Sequence, residues 1–224
     1  MEFTEVIYGQ STQGNSLKAY CSSNFYHDKY LYCVAGIHGT SVEGINVVDR
    51  LLLWLRESDK ITFPCVFIPI LDVDGYLYQQ TDFAKGKNLN NLFPCSNRRK
   101  GAHFTSDLNT QHALPPEIES LIEILIKYPP QLFLNLRTAA NSAKVIAIGD
   151  DAVSVANFIA KATNYPLIAD NSPVTQTLES FIYDFFLCPV VTIRLPFFTE
   201  KKTIADIYEE NKKGLEQLFV GQIY

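Results

Sequence analysis

The sequence predicts an α/β domain built on a mixed, mostly parallel sheet with helices on both faces. Two observations carry that reading. Short apolar runs rich in β-branched and aromatic residues alternate with stretches of helical period along the chain. The runs are also continuous rather than alternating, which is the pattern of strands buried on both faces. The 224 residues are 47% hydrophobic and 19% charged, enough for one substantial core. No repeat or linker composition divides them, so residues 1–224 read as a single domain.

Tyr30–Ile37 (YLYCVAGI) reads as a buried strand and Val42–Arg56 as an amphipathic helix. Phe63–Leu71 (FPCVFIPIL) is the next strand. Pro115–Lys127 is a helix, opened by Pro-Pro-Glu and followed by Pro129 and Pro130. Leu132–Arg137 and Val145–Ile148 read as strands, and Asp151–Thr163 as a helix. Pro189–Leu195 (PVVTIRL) is a strand and Thr203–Phe219 a closing helix. Tyr76–His112 is polar and weakly periodic, and a loop of that length inside a domain is usually functional.

A formal charge of −5 leaves no basic surplus to neutralise phosphates, which excludes nucleic acid and anionic membrane as main partners. No apolar run reaches 18 residues, and MEFTEVIYGQ lacks the basic and apolar regions of an export signal. A soluble, cytoplasmic protein is the expectation. Cys21, Cys33, Cys65, Cys95 and Cys188 are odd in number and scattered, as in a reducing compartment.

Ligands of such sheets bind beyond the carboxyl ends of the strands. The residues placed there are His38, Asp72–Gly75, Arg137 and Arg194. A rim of His, Asp and two Arg matches no catalytic scheme by itself.

Taken together, these segments resemble the zinc carboxypeptidase family, and especially its short bacterial branch, the murein-peptide amidases. Tyr8–Leu17 resembles the family's opening Y-G-x-S-x-x-G-x-x-L. Gly36–Gly44 (GIHGTSVEG) resembles G-x-H-G-x-E-x-x-G, and Ile68–Gly75 (IPILDVDG) resembles V-P-x-x-N-P-D-G. Asn88–Pro94 (NLNNLFP) resembles D-L-N-R-N-F-P, and Pro116-Glu117 the P-E that opens the next helix. Leu134–Thr138 (LNLRT) falls where the family has a strand ending in H-S. Cys188–Pro196 (CPVVTIRLP) falls where it has P-V-V-T-x-E-L-P. Seven matches in order cover nearly the whole chain.

The resemblance implies a zinc site of a His and a Glu three residues apart plus a second His, with an open position for water. Only His38 remains of it. Ser41 stands at the Glu position, and a neutral hydroxyl is a poor zinc ligand. Arg137 stands at the second His, and a guanidinium has no lone pair to give. The resemblance also implies a general-base Glu where this chain has Arg194, which cannot accept a proton. The implied Asn-Arg substrate clamp is reduced to Asn90 and Asn91, and Asn88 replaces an Asp. These departures imply a catalytically inactive homologue without zinc.

Two further expectations follow. Arg137 and Arg194, from neighbouring strands, converge on the vacated metal position. There they either pair with Asp72, Asp74 or Glu43, or bind an acidic peptide or small anion, with Asn90 as a further donor. The alternative is an active metal hydrolase whose ligands are rearranged from His103, His112 or Glu43. Glu43 lies two residues past Ser41 at a helix start, a rotation of about 200°, and is expected to face away.

Overall fold

Strands and helices fall where apolar runs and helical periods place them, with a few additions. The computed structural model describes residues 2–22, 29–58, 63–80, 88–94, 114–170 and 174–221. β1 (Phe3–Gln10) and β2 (Ser16–Ser22) form an opening hairpin. They are followed by β3 (Tyr30–Val34), α1 (Val42–Glu57), β4 (Cys65–Ile68) and α2 (Val73–Tyr78). A 3-10 turn (Leu89–Asn91) precedes α3 (Pro116–Lys127), β5 (Pro130–Thr138), β6 (Lys144–Ile148) and α4 (Ala152–Thr163). The chain closes with β7 (Leu167–Ala169), α5 (Leu178–Phe186), β8 (Val190–Leu195) and α6 (Ile204–Phe219).

The strands make one eight-stranded sheet in the order β1-β2-β4-β3-β5-β8-β6-β7. Its centre, β4-β3-β5-β8, is parallel throughout. Antiparallel pairs attach the opening hairpin on one side and β6 on the other. The sheet is mixed, as expected, and the four parallel strands are those whose ends carry His38, Asp72, Arg137 and Arg194.

Side chains alternate across each strand, and β5 shows the division. Leu132, Leu134 and Leu136 enter the core under α1, α4 and α6. Phe133 enters the opposite core, under α3 and α5. Asn135 and Arg137 continue on the face of Phe133, so the second core ends in polar side chains. On β8, Val190, Thr192 and Arg194 do the same.

α2, β7 and α5 have no counterpart in the sequence reading. α2 is six residues long, contains Gly75 and is started by Asp72, whose carboxylate accepts from the Gly75 N–H at 2.8 Å. α5 begins with a capping box in which the third helical residue is Ser180 instead of the usual Glu or Gln. Its aromatic-rich LESFIYDFF has weak helix propensity. β7 is a three-residue edge strand. Most of the polar Tyr76–His112 segment lies outside the described residues.

The tip of the β1–β2 hairpin is fastened to the rest of the fold by two buried carboxylates. Asp74 accepts from Ser11 Oγ, the Gln13 N–H and Asn15 Nδ2. Glu117, at the start of α3, accepts from the Thr12 N–H and Thr12 Oγ1. Every donor is neutral. Each such bond contributes roughly 1.5–3 kcal/mol at most.

The loops after β3 and β4 meet backbone to backbone. A Cβ on Gly39 would lie 1.9 Å from the Gly75 carbonyl carbon and 2.0 Å from the Tyr76 nitrogen. This contact seats the His38 loop against the start of α2. A Gly39→Ala change should therefore destabilise the protein by about 1–3 kcal/mol, the usual cost of overpacking, read as a lower urea midpoint at unchanged m-value.

Candidate functional site

Arg137 and Arg194 are direct register partners on the parallel strands β5 and β8. Their neighbours two residues back, Asn135 and Thr192, are partners as well. Both pairs lie on the face covered by α5. Arg137 is buried, 8% exposed, and its guanidinium is held at two points. Nη1 donates to Glu179 Oε1 at 2.8 Å. Nη2 stands 2.7 Å from His38 Nε2. A guanidinium only donates, so the Nε2 lone pair accepts and the imidazole proton resides on Nδ1. Asn135 Nδ2 donates to the same Glu179 oxygen at 2.9 Å.

Glu179, on the first turn of α5, is 6% exposed. Burial pushes its pKa up, but the Arg137 charge and hydrogen bond, with help from Arg194, outweigh burial and leave it below the ordinary carboxylate value. The predicted partners of the arginines need correction here. Asp72 caps α2, Asp74 holds the hairpin, and Glu43 accepts from Thr138 Oγ1 at 2.6 Å and the Phe198 N–H at 3.0 Å. The carboxylate that meets Arg137 is Glu179, which the sequence reading did not single out. An acidic residue beside the capping Thr177 was its only signal.

Arg194 is half-buried. No hydrogen bond or ion pair reaches its side chain among the described residues. Burial lowers its pKa from the ordinary guanidinium value, and the Arg137 charge lowers it further, with Glu179 opposing. Asn90 is buried, and its Oδ1 accepts from the Leu178 N–H at 3.1 Å, which leaves its Nδ2 as a donor. Asn91 is exposed, and the Asn88 side chain caps the 3-10 turn through the Asn90 N–H. Ser41 sits at the N-cap of α1 without a side-chain cap bond. His103 and His112 lie outside the described residues. Site residues from β3, β5, β8 and α5 thus converge, while Glu43 is engaged elsewhere.

No protein-family model matches the chain, and no curated protein does. Solved structures do. The murein-tripeptide amidase MpaA from Escherichia coli O157 superposes with a TM-score of 0.71 at 15% identity, over 96% of this chain and 91% of that one. A metallo-carboxypeptidase from Burkholderia cenocepacia gives 0.75 at 12% identity, over 97% of this chain and 64% of that one. A metallo-carboxypeptidase from Pseudomonas aeruginosa gives 0.72 at 16% identity, over 95% and 62%. The chain therefore has the zinc-carboxypeptidase-like α/β fold. It spans nearly the whole amidase but less than two thirds of these carboxypeptidases.

The donors present do not fit the zinc ion of that fold. The His38 Nε2 lone pair faces the Arg137 guanidinium, and the second guanidinium of the rim, Arg194, has no lone pair to give a metal. Among the described residues, no group of three or more His, Cys, Asp or Glu side chains is arranged to hold a metal. No helix among them is long and apolar enough to cross a membrane.

Two outcomes follow. Glu179→Ala leaves Arg137 buried and unpaired, so it should cost about 3–5 kcal/mol, whereas Arg137→Met with Glu179→Met should cost far less. Urea denaturation of the three proteins measures this. Burial, then Glu117 and Asp74, raise the Asp72 pKa from 3.8 to about 6. Folded protein then binds a proton that unfolded chain releases, so the Asp72 contribution to stability is full below pH 3.8 and is lost as pH rises through about 6. Subtracting the stability–pH curve of Asp72→Asn from that of wild type should isolate this fall. A flat difference curve would contradict it.

Proposed function

We propose that this chain is a non-hydrolytic protein of the carboxypeptidase-like fold that binds a small anion or the carboxylate of an acidic peptide in the old cleft. The observation that carries the reading is the Arg137 guanidinium spanning His38 and Glu179, with Arg194 beside it lacking a carboxylate among the described residues. The zinc-dependent route needs a Lewis acid and a base that accepts a proton from water. His38, Ser41, Arg137 and Arg194 supply neither. What they supply is fixed positive charge. Arg194 offers a planar fork of donors suited to carboxylate or phosphate. Arg137 adds positive field from its clamped position, and the Nδ2 of Asn90 and the exposed Asn91 lie on the clamp segment.

The energetics agree with a site kept for binding. Holding Arg194 half-buried beside Arg137 disfavours its charge, the sign of a residue that costs stability in the free protein. Arg194→Met should therefore stabilise the unliganded protein by about 1 kcal/mol, read as a higher urea midpoint at unchanged m-value, and abolish anion binding. Calorimetric titration with sulfate, phosphate and acidic peptides at low ionic strength is the decisive measurement. Binding that survives both Arg137→Met and Arg194→Met would overturn the reading.

The hydrolytic arm is tested separately. Purified protein should carry no stoichiometric zinc and should not turn over carboxypeptidase substrates or γ-D-glutamyl-diaminopimelate peptides. Zinc near one per chain, with turnover lost in His38→Ala, would establish a hydrolase instead.

A further inference from the structure

The rim has a third cation that the sequence alone does not place beside Arg137 and Arg194. β6 runs antiparallel to β8, and the register sets Lys144 directly opposite Arg194. Directly opposed residues of an antiparallel pair share a face, with Cβ atoms about 4.5–5.5 Å apart, and like charges there are unfavourable. Lys144 is half-buried. Like that of Arg194, its side chain has no hydrogen bond or ion pair among the described residues. Arg137, Arg194 and Lys144 thus form a row of cations on β5, β8 and β6.

The charges in this row are unequal in availability. Glu179 is spent on Arg137 at 2.8 Å, so that pair is internally neutral. His38 accepts from Arg137 and carries no charge in that contact. The two cations left over are Arg194 and Lys144. A singly charged ligand neutralises only one of them. A group carrying two negative charges on adjacent oxygens can accept the planar Arg194 fork on one side and the Lys144 ammonium on the other. The flexible four-carbon stem lets the ammonium swing in from solvent.

Resting on the anion-binding reading above, we infer that Arg194 and Lys144 together select a doubly charged anion, a phosphomonoester or a vicinal dicarboxylate, over a simple carboxylate.

The test uses three ring-matched probes on the full chain at pH 8, where a phosphomonoester with second pKa about 6 is fully dianionic. These are benzoate, phenyl phosphate and phthalate, titrated calorimetrically at constant ionic strength. Wild type should prefer the dianions over benzoate by at least about tenfold. Lys144→Met should collapse that preference toward unity, and Lys161→Met, on the exposed side of α4, should leave it intact. The phenyl phosphate and phthalate arms tell a phosphate ligand from a dicarboxylate. Equal binding of benzoate and dianions by wild type overturns the inference while leaving anion binding standing. So does a preference that persists in Lys144→Met. If no probe binds at all, the anion-binding reading itself fails.

Discussion

A guanidinium held between a carboxylate and an imidazole organises the carboxyl-terminal rim of this sheet. Arg137 stands at the end of a central strand, where the surrounding side chains are apolar on one face and polar only at its tip. Its pairing with Glu179 fixes the first turn of α5, which also receives Asn135 and is capped through Asn90 at Leu178. Its contact with His38 fixes the loop after β3. Three separate elements are thus tied to one side chain. A buried pair of this kind is weak evidence for net stability, since desolvation offsets most of its attraction. Its effect is on which arrangement of loops is allowed, because any arrangement that separates the charges leaves one buried alone.

Fold and chemistry were legible to different extents, for physical reasons. Core strands declare themselves through continuous apolar runs, so β3, β4, β5 and β8 could be read together with the residues at or just past their ends. His38, Arg137 and Arg194 were found in that way. Glu179 was missed because α5 hides behind aromatic residues and a serine capping box. Lys144 was missed for another reason. It lies at the beginning of a strand, and only an antiparallel pairing brings a strand's beginning beside the end of β8. Periodicity carries no information about strand direction or order, so neither could be inferred from spacing. The expected pairing of the arginines with Asp72, Asp74 or Glu43 failed similarly. Those carboxylates follow the right strands, but each is taken by neutral backbone, hydroxyl or amide donors.

Structures at 12–16% identity superpose on this chain over nearly its full length. The constraint they share is volumetric: two layers of helices must close over one sheet, and many apolar sequences satisfy that. The rim is under no such constraint. Exchanging neutral or acidic side chains there for arginines changes the field of the cleft without moving the strands that carry them. A scaffold can therefore persist while the electrostatics of its rim change.

The two carboxylates that clasp the β1–β2 hairpin have a kinetic side. The bonds from Ser11, Gln13 and Asn15 to Asp74 span 59 to 63 residues of sequence, and those from Thr12 to Glu117 span 105. Such contacts close large loops, and their entropic cost must be met before they return any stabilisation. The hairpin joins the sheet through β2 and β4 over only two register pairs. The hairpin tip is therefore held by residues of α2 and α3 and not by its own neighbours in sequence. The β1–β2 edge of the sheet thus depends on two carboxylates distant in sequence, and losing either one would loosen the hairpin tip while leaving the central parallel strands paired.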